Sequence, residues 1–338
     1  MTTLENIKKL LVCPVHGRAL QLDDAAYAAG GVPWPDSAIT CSQGCRFEIQ
    51  DGIPRFVSRD SYVSAFGLQW QRYQKTQLDS HTGQPISRVR LERCLGMPLA
   101  MLEGKTVLEV GSGAGRFTEL LLDHSGVLVS MDLSEAVDAN LKNCGGRRPY
   151  LLIQADANAS PLPKRFFDVV ICLGVIQHTP SPEQTIASLA QHVKPGGLLV
   201  IDHYTLRNRF SWLGRNLTLR APLRMVLKRL SPEPGLRATM ALTAVCDPVR
   251  KRTSKIRWLD RVACRFFPTA CYYNTYPELG PDIIYEWNEL DTHDQMTAYW
   301  RHVRSVAEIS SHLQGLGFVD IRCGEDGNGV EARATYPV

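Results

Sequence analysis

The 338-residue sequence lacks any run of eighteen apolar residues, so no membrane-spanning helix is expected. Its opening residues, MTTLENIKKLLVCP, lack an apolar core followed by a small-residue cleavage site, and the expectation is a cytoplasmic protein. Internal repeats and low-complexity tracts are missing too, which excludes solenoid and fibrous classes. Ten cysteines are scattered rather than regularly spaced, apart from Cys13, Cys41 and Cys45, and most are expected to be reduced and buried. A large excess of either charge is missing overall, with 38 Lys/Arg against 34 Asp/Glu and a net charge of +4. That balance hides a block between Asp202 and Arg265 with fifteen Lys/Arg against four Asp/Glu, which leaves the remainder at −7. Such a block fits either a local anionic partner or a solvated basic surface.

What is present is a β/α rhythm from residue 104 to 203. The runs TVLEV, VLVSM, YLLIQ, DVVICLG and LLVIDHY read as strands. Between them AGRFTELLLD, SEAVDANLKN and SPEQTIASLAQHV have helical apolar spacing. Ser134 and Ser181 stand at expected N-caps, and Gly196-Gly197 is expected to end the third helix and turn the chain into the next strand. Strands alternating with helices predict a doubly wound parallel α/β sheet. The division expected is a segment at 1–58 punctuated by Cys, Gly and Pro, a helical lid or linker at 59–103, and an α/β domain at 104–338 with an insertion at 204–300.

In such a sheet, ligands bind beyond the carboxyl ends of the strands. The loop Gly111-Ser112-Gly113-Ala114-Gly115 follows the first strand and lies there. A dinucleotide fingerprint would place its third glycine one residue later, where Arg116 stands. Asp132 ends the second strand and can accept from both hydroxyls of a ribose. Asp156 ends the third and can accept from an adenine amine, with Ala157 supplying an amide; Asp156 also suits a plain turn or cap.

With E-x-G-S-G-x-G, Asp132, Asp156 and VKPGGLLVID in this order, the chain resembles the class I S-adenosylmethionine (SAM)-dependent methyltransferases over roughly 104–203. The resemblance implies a seven-stranded Rossmann-like sheet with SAM as cofactor. It implies that Glu109, Gly111, Ser112, Gly113 and Gly115 border the methionine part and that Asp132 and Leu133 hold the ribose. Asp156 and Ala157 would hold the adenine, and Leu173 and Gly174 would line the floor. The preceding stretch FGLQWQRYQKTQLDSHTG looks like a lid found in methyltransferases of glycan and natural-product gene clusters, which would turn Gln69, Thr76 and Gln77 to the cofactor. Its aromatic spacing also fits an ordinary helix core.

Near the start, Cys13-x-x-His16 and Cys41-x-x-x-Cys45 form two ligand pairs that could close a tetrahedral structural Zn2+ site. The segment resembles the small zinc-ribbon protein that partners and activates RNA and protein methyltransferases. It departs from that pattern in the histidine and in the wider second pair, so a metal-free relic is the other reading.

His178, in GVIQHTPSP after the fourth strand, is the candidate general base; the other reading has it only packing against the next helix or lining the pocket. His203 and Tyr204 stand at another strand end. Within the insertion, Leu219, Leu223, Val226, Leu227 and Leu230 share one helical face, opposite Arg220, Arg224, Lys228 and Arg229. That pattern fits peripheral contact with an anionic membrane or packing on its own domain, the latter being the expectation. Tyr276, Trp287, Asp291, His293 and Asp294 are candidates for a polar substrate site. The functional expectation is methyl transfer to oxygen or carbon of a small molecule: a sugar, a lipid-linked intermediate or a natural product. The alternative is a tRNA, rRNA or protein methyltransferase that uses the front segment and the basic insertion for recognition. No N-P-P-Y-type signature follows the fourth strand, which disfavours amide or adenine nitrogen as acceptor.

Overall fold

The computed structural model describes residues 4–22, 37–57, 64–205 and 220–338. Strands are β1 (Leu20–Leu22), β2 (Ser37–Cys41), β3 (Arg46–Gln50), β4 (Ile53–Arg55), β5 (Thr106–Val110), β6 (Val127–Asp132), β7 (Leu151–Gln154), β8 (Phe167–Cys172), β9 (Val193–Tyr204), β10 (Val319–Asp326) and β11 (Gly329–Thr335). Helices are α1 (Leu4–Lys9), α2 (Ser64–Arg72), α3 (Asp79–Thr82), α4 (Ile86–Leu95), α5 (Thr118–His124), α6 (Ala136–Cys144), α7 (Pro182–Ala190), α8 (Arg220–Leu227), α9 (Pro232–Thr253), α10 (Arg257–Phe266), α11 (Pro281–Thr297) and α12 (Val306–Gly315).

All strands join one sheet in the order β1-β2-β3-β4-β7-β6-β5-β8-β9-β11-β10. The five central strands, β7 to β9, are parallel, and the β10–β11 hairpin adds antiparallel to β9. Every residue of β5 is buried, as a central parallel strand covered on both faces requires. Alternation along the strands then sorts the core. Leu108, Val129, Ile153 and Val170 pack on one face; Val107, Leu128, Leu152 and Val169 pack on the other.

The expected seven-stranded sheet is seen from β7 to β10, but it does not end there. β4 pairs parallel with β7 through Arg55 and Gln154, which extends the sheet to eleven strands. Ile7, Leu11, Cys13, Leu20, Ile39 and Ile49 belong to the same core cluster as Leu108 and Val129. The front segment thus packs into the domain's own core rather than forming one of its own. The boundary expected at 58–59 lies outside the described residues, as does Leu219.

Local details also differ. The helix after β6 starts at Ala136 with Glu135 at its cap, while the Ser134 hydroxyl bridges Asp132 Oδ1 (2.7 Å) and Ala136 N–H (3.2 Å). Ser181 holds its N-cap position without a side-chain bond, and Pro182 supplies the first helical residue. Gly196-Gly197 lies inside β9, because α7 already ends at Ala190. Insertion helix α8 is turned round: Arg220 and Arg224 point inward to main-chain oxygens of Phe267, Thr269, Gln295 and Ala298. Val226 faces outward at 61% exposure, and among the described residues of the expected apolar face Leu227 alone is buried. Four carbonyls left unpaired by the ends of neighbouring elements outcompete apolar burial for that side.

Candidate active site

A cavity of about 960 Å³ opens at the carboxyl ends of β5, β6, β7, β8 and β9. Its floor begins at the glycine loop. Gly111 has φ 77°, and a Cβ there would meet Val175 Cγ2 at 2.0 Å; only glycine permits both the turn and the approach. Gly113, at φ 51°, lies under the Trp70 indole of α2, where a Cβ would stand 3.3 Å from Trp70 Cε2. Gln69 and Gln77 line the cavity. Thr76 turns away and bonds Glu286 Oε2 at 3.1 Å.

Asp132, Leu133, Asp156, Ala157, Leu173 and Gly174 all line the same cavity, with Gly111, Ser112 and Gly113. Asp132 Oδ2 accepts from Gly113 N–H (2.9 Å), and Oδ1 accepts from the Ser134 N–H (2.8 Å) and hydroxyl (2.7 Å). A carboxylate has about four acceptor positions, so about one remains for a ligand hydroxyl. Burial raises its pKa, against the donors from Ser134 and Gly113. Asp156 Oδ1 accepts from Asn158 N–H (2.8 Å), so it caps the 157–159 turn and lines the cavity at once. Ser112 Oγ is buried without a partner among the described residues, as expected of a group that awaits a ligand.

Two expected loop contacts are corrected. Glu109 does not line the cavity; it is 2% exposed beneath the loop and accepts from Thr118 Oγ1 (2.6 Å) and Ser130 Oγ (2.8 Å). Burial pushes its carboxyl up to about 7. Gly115 faces α6 instead, where a Cβ would lie 2.8 Å from Cys144 Sγ. Both shape the loop from behind: a parallel strand's alternation sends residue 109 to the side away from the ligand.

The far half of the cavity comes from the insertion and from β9. His178 Nδ1 lies 3.1 Å from the Trp300 carbonyl oxygen, which only accepts; Nδ1 therefore carries the hydrogen of the neutral ring. Nε2 faces Asp294 Oδ1 at 3.7 Å, and the Tyr204 hydroxyl donates to Asp294 Oδ2 at 3.2 Å. The Tyr272 hydroxyl donates to Asp291, whose carboxyl burial pushes up to about 6. Tyr276 packs on Trp287 at 5.0 Å and stacks on Tyr272 at 5.6 Å, which builds an aromatic wall. His203 is buried against the Tyr204 carbonyl and does not line the cavity. His293 is likewise absent from the lining: it bonds Thr239 Oγ1 at 2.9 Å, and burial holds its pKa down at about 4.

Arg116 and Arg90 line the cavity without having been singled out as site residues. Arg116 donates to Gln77 Oε1 (3.0 Å) and Ser87 Oγ (2.9 Å), and lies 5.2 Å from the Phe117 ring and 5.7 Å from the Trp287 ring. Burial lowers its pKa to about 10. A long cation directly after the glycine loop was the available signal. Arg90 pairs with buried Asp202 at 2.5 Å, and Asp202 accepts Gly174 N–H at 2.6 Å. Their partnership spans 112 residues, beyond any local pattern.

At the other end of the sheet, the ligand atoms of Cys13, His16 and Cys41 lie within 4.8 Å of one another. The three sulfurs of Cys13, Cys41 and Cys45 converge on His16 Nδ1 at 3.7, 3.7 and 3.5 Å. Zinc bonds of about 2.3 Å to sulfur and about 2.0 Å to nitrogen, at tetrahedral angles, put S and N about 3.5 Å apart. Burial would raise the Cys13 thiol, but the N–H groups of His16 and Val15 and the Cys41 thiol bring it to about 7. The S–N separations therefore suit zinc, with Cys13, His16 and Cys41 the mutually close group and Cys45 Sγ beside His16 Nδ1 as the fourth donor.

Residues 108–201 match the family described as Methyltransferase domain. The chain is similar to the ubiquinone biosynthesis O-methyltransferase of Azoarcus sp. (strain BH72), with 36% identity over 34% of this chain and 47% of the relative. The enzyme of that description from Pseudomonas putida (strain GB-1) is 35% identical over 29% of this chain and 44% of the relative. The matches thus span less than half of these curated relatives. Among solved structures, the magnesium protoporphyrin IX methyltransferase of Synechocystis PCC 6803 with bound SAH is 14% identical at a TM-score of 0.44, covering 82% of this chain and 97% of that one. Over residues 108–201 the chain is thus similar to methyltransferase domains.

Proposed function

We propose that the whole chain transfers a methyl group from SAM to a hydroxyl oxygen of a small-molecule acceptor. The observation that supports this most is the single cavity running from the glycine loop to His178, Tyr204 and the Tyr272–Tyr276–Trp287 wall. At about 960 Å³ it lies at the upper end of the range for small-molecule sites, with room for a cofactor and an acceptor together. Bound SAM supplies an already activated methyl group, so the protein's task is positioning and proton removal. Gly111, Ser112 and Gly113 would border its methionine part, Asp132 and Leu133 its ribose, and Asp156 and Ala157 its adenine, with Leu173 and Gly174 lining the floor. Gln77 and Arg116 would close the cavity from the lid side. His178 Nε2 would take the acceptor's hydroxyl proton. Asp294, held by Tyr204, faces that same Nε2 at 3.7 Å, so its charge would stabilise the imidazolium that forms, while the Trp300 carbonyl orients the ring through Nδ1–H. The relatives' O-methyltransferase descriptions favour oxygen over carbon.

Cys13, His16, Cys41 and Cys45 are proposed to hold a structural Zn2+ that pins the β1–β3 segment to the sheet; with four protein ligands it would have no open position for substrate. The test of function is release of S-adenosylhomocysteine when the protein is supplied with SAM and a panel of phenols, sugars and lipid-linked hydroxyl compounds. Turnover is expected, with His178→Ala lowering kcat by roughly 10²-fold or more while SAM binding persists. Unchanged kcat would remove His178 from the chemistry; turnover only on RNA or protein would replace the acceptor class.

A further inference from the structure

Helix α10 faces the wrong way for an element that only packs. Trp258, Val262 and Phe266 recur at four-residue spacing and so form one stripe. They are 63%, 47% and 56% exposed, while the inward face carries Ala263 at 5%. A globular helix buries its large apolar residues. The pattern extends beyond this helix: ten of the sixteen exposed large apolar side chains among the described residues fall between 225 and 299. Charge accompanies the stripe. Residues 251–266 contain six Lys/Arg and one acid, Asp260. Buried Arg250 pairs with that acid at 3.3 Å, so it does not offset the outward charge. Lys255, Arg257 and Arg261 are exposed, and Arg257 and Arg261 form a basic stripe beside the apolar one.

We infer that this face docks on an anionic lipid bilayer surface, with α10 lying in the headgroup plane. An apolar stripe alone would suit many partners; the basic stripe along its edge selects an anionic one. Trp is also a residue type that settles at headgroup depth. A nucleic-acid duplex, met through its phosphates, would use the charge but leave Trp258, Val262 and Phe266 in water. No helix among the described residues is long and apolar enough to cross a membrane, so the contact is peripheral. α10 runs directly into the segment carrying Tyr272, Thr275 and Tyr276, which line the cavity. Docking would therefore bring the acceptor half of the site close to lipid, which suits a hydroxyl acceptor with an apolar portion. That last step rests on the methyl-transfer reading; the docking does not, and SAM calorimetry reports on the former separately.

The test is co-sedimentation of the full chain with vesicles of phosphatidylcholine alone or mixed with phosphatidylglycerol, at low and high salt. Binding is expected only with the anionic lipid and is expected to weaken with salt. The W258A/F266A pair should lose binding on the order of thirtyfold. R257Q/R261Q should lose roughly fivefold per charge. Both variants should bind SAM as the parent does, which verifies folding. The inference is overturned if the parent ignores anionic vesicles or if both variants bind them unchanged. It is equally overturned if the parent is a dimer that W258A/F266A converts to a monomer, or if it binds RNA through these arginines without binding vesicles.

Discussion

Replacing Glu109 with Gln removes a buried acid from beneath the glycine loop without changing its shape. The carboxyl is 2% exposed; Oε2 takes two hydroxyl donors and Oε1 has no partner among the described residues. Burial dominates and raises its pKa from 4.5 to about 7, with the nearby Asp132 charge adding to the shift and the Thr118 and Ser130 hydroxyls opposing it. Between the unfolded value and about 7, the folded chain keeps a proton that the unfolded chain has released. Stability therefore falls as pH rises through that window, and the loss is complete above it. The gap between those two values corresponds to about 3 kcal/mol. Glutamine stays neutral at every pH and lacks this loss. Urea unfolding of both proteins without SAM, across mildly acidic to mildly alkaline pH, isolates the effect. The stability of Glu109→Gln minus that of the parent is expected to climb by about 3 kcal/mol across the window, whatever constant offset the amide adds. Parallel pH profiles would refute the reasoning, and a difference that shrinks with pH would show a carboxylate favoured by the fold.

Arg90→Ala should destabilise by about 3–5 kcal/mol, because Asp202 would be left buried without its cation; a loss under about 1 kcal/mol in urea unfolding would show that the pair is dispensable. Asp132→Ala should weaken SAM binding roughly ten- to hundredfold by calorimetry, through a lost charged acceptor and a slackened Gly113; undiminished affinity would place the cofactor elsewhere. Elemental analysis should find one zinc per chain in the parent and none in Cys13→Ser, with the variant's melting temperature insensitive to chelator. A zinc-free parent that melts unchanged with chelator would make the cluster a metal-free thiol group.

Chain order alone carried the central sheet, because parallel strands covered on both faces must be short apolar runs separated by amphipathic helices. TVLEV, the glycine turn, Asp132 and Asp156 were legible for the same reason: each stands at a strand end whose position the βα alternation dictates. The four zinc-ligand candidates were legible as two spaced pairs, although their convergence on His16 Nδ1 is a fact of folding. Only the tertiary structure joined β4 to β7 and drew the front segment into the domain core, since a sheet edge accepts any strand of matching geometry and leaves no local signature. It alone set Asp294 beside His178 across more than a hundred residues, paired Arg90 with Asp202, and turned Arg220 and Arg224 inward while Trp258 and Phe266 face out. Helical periodicity tells which residues share a face; which face meets the core is decided by unpaired carbonyls, buried charges and the space left by neighbouring elements.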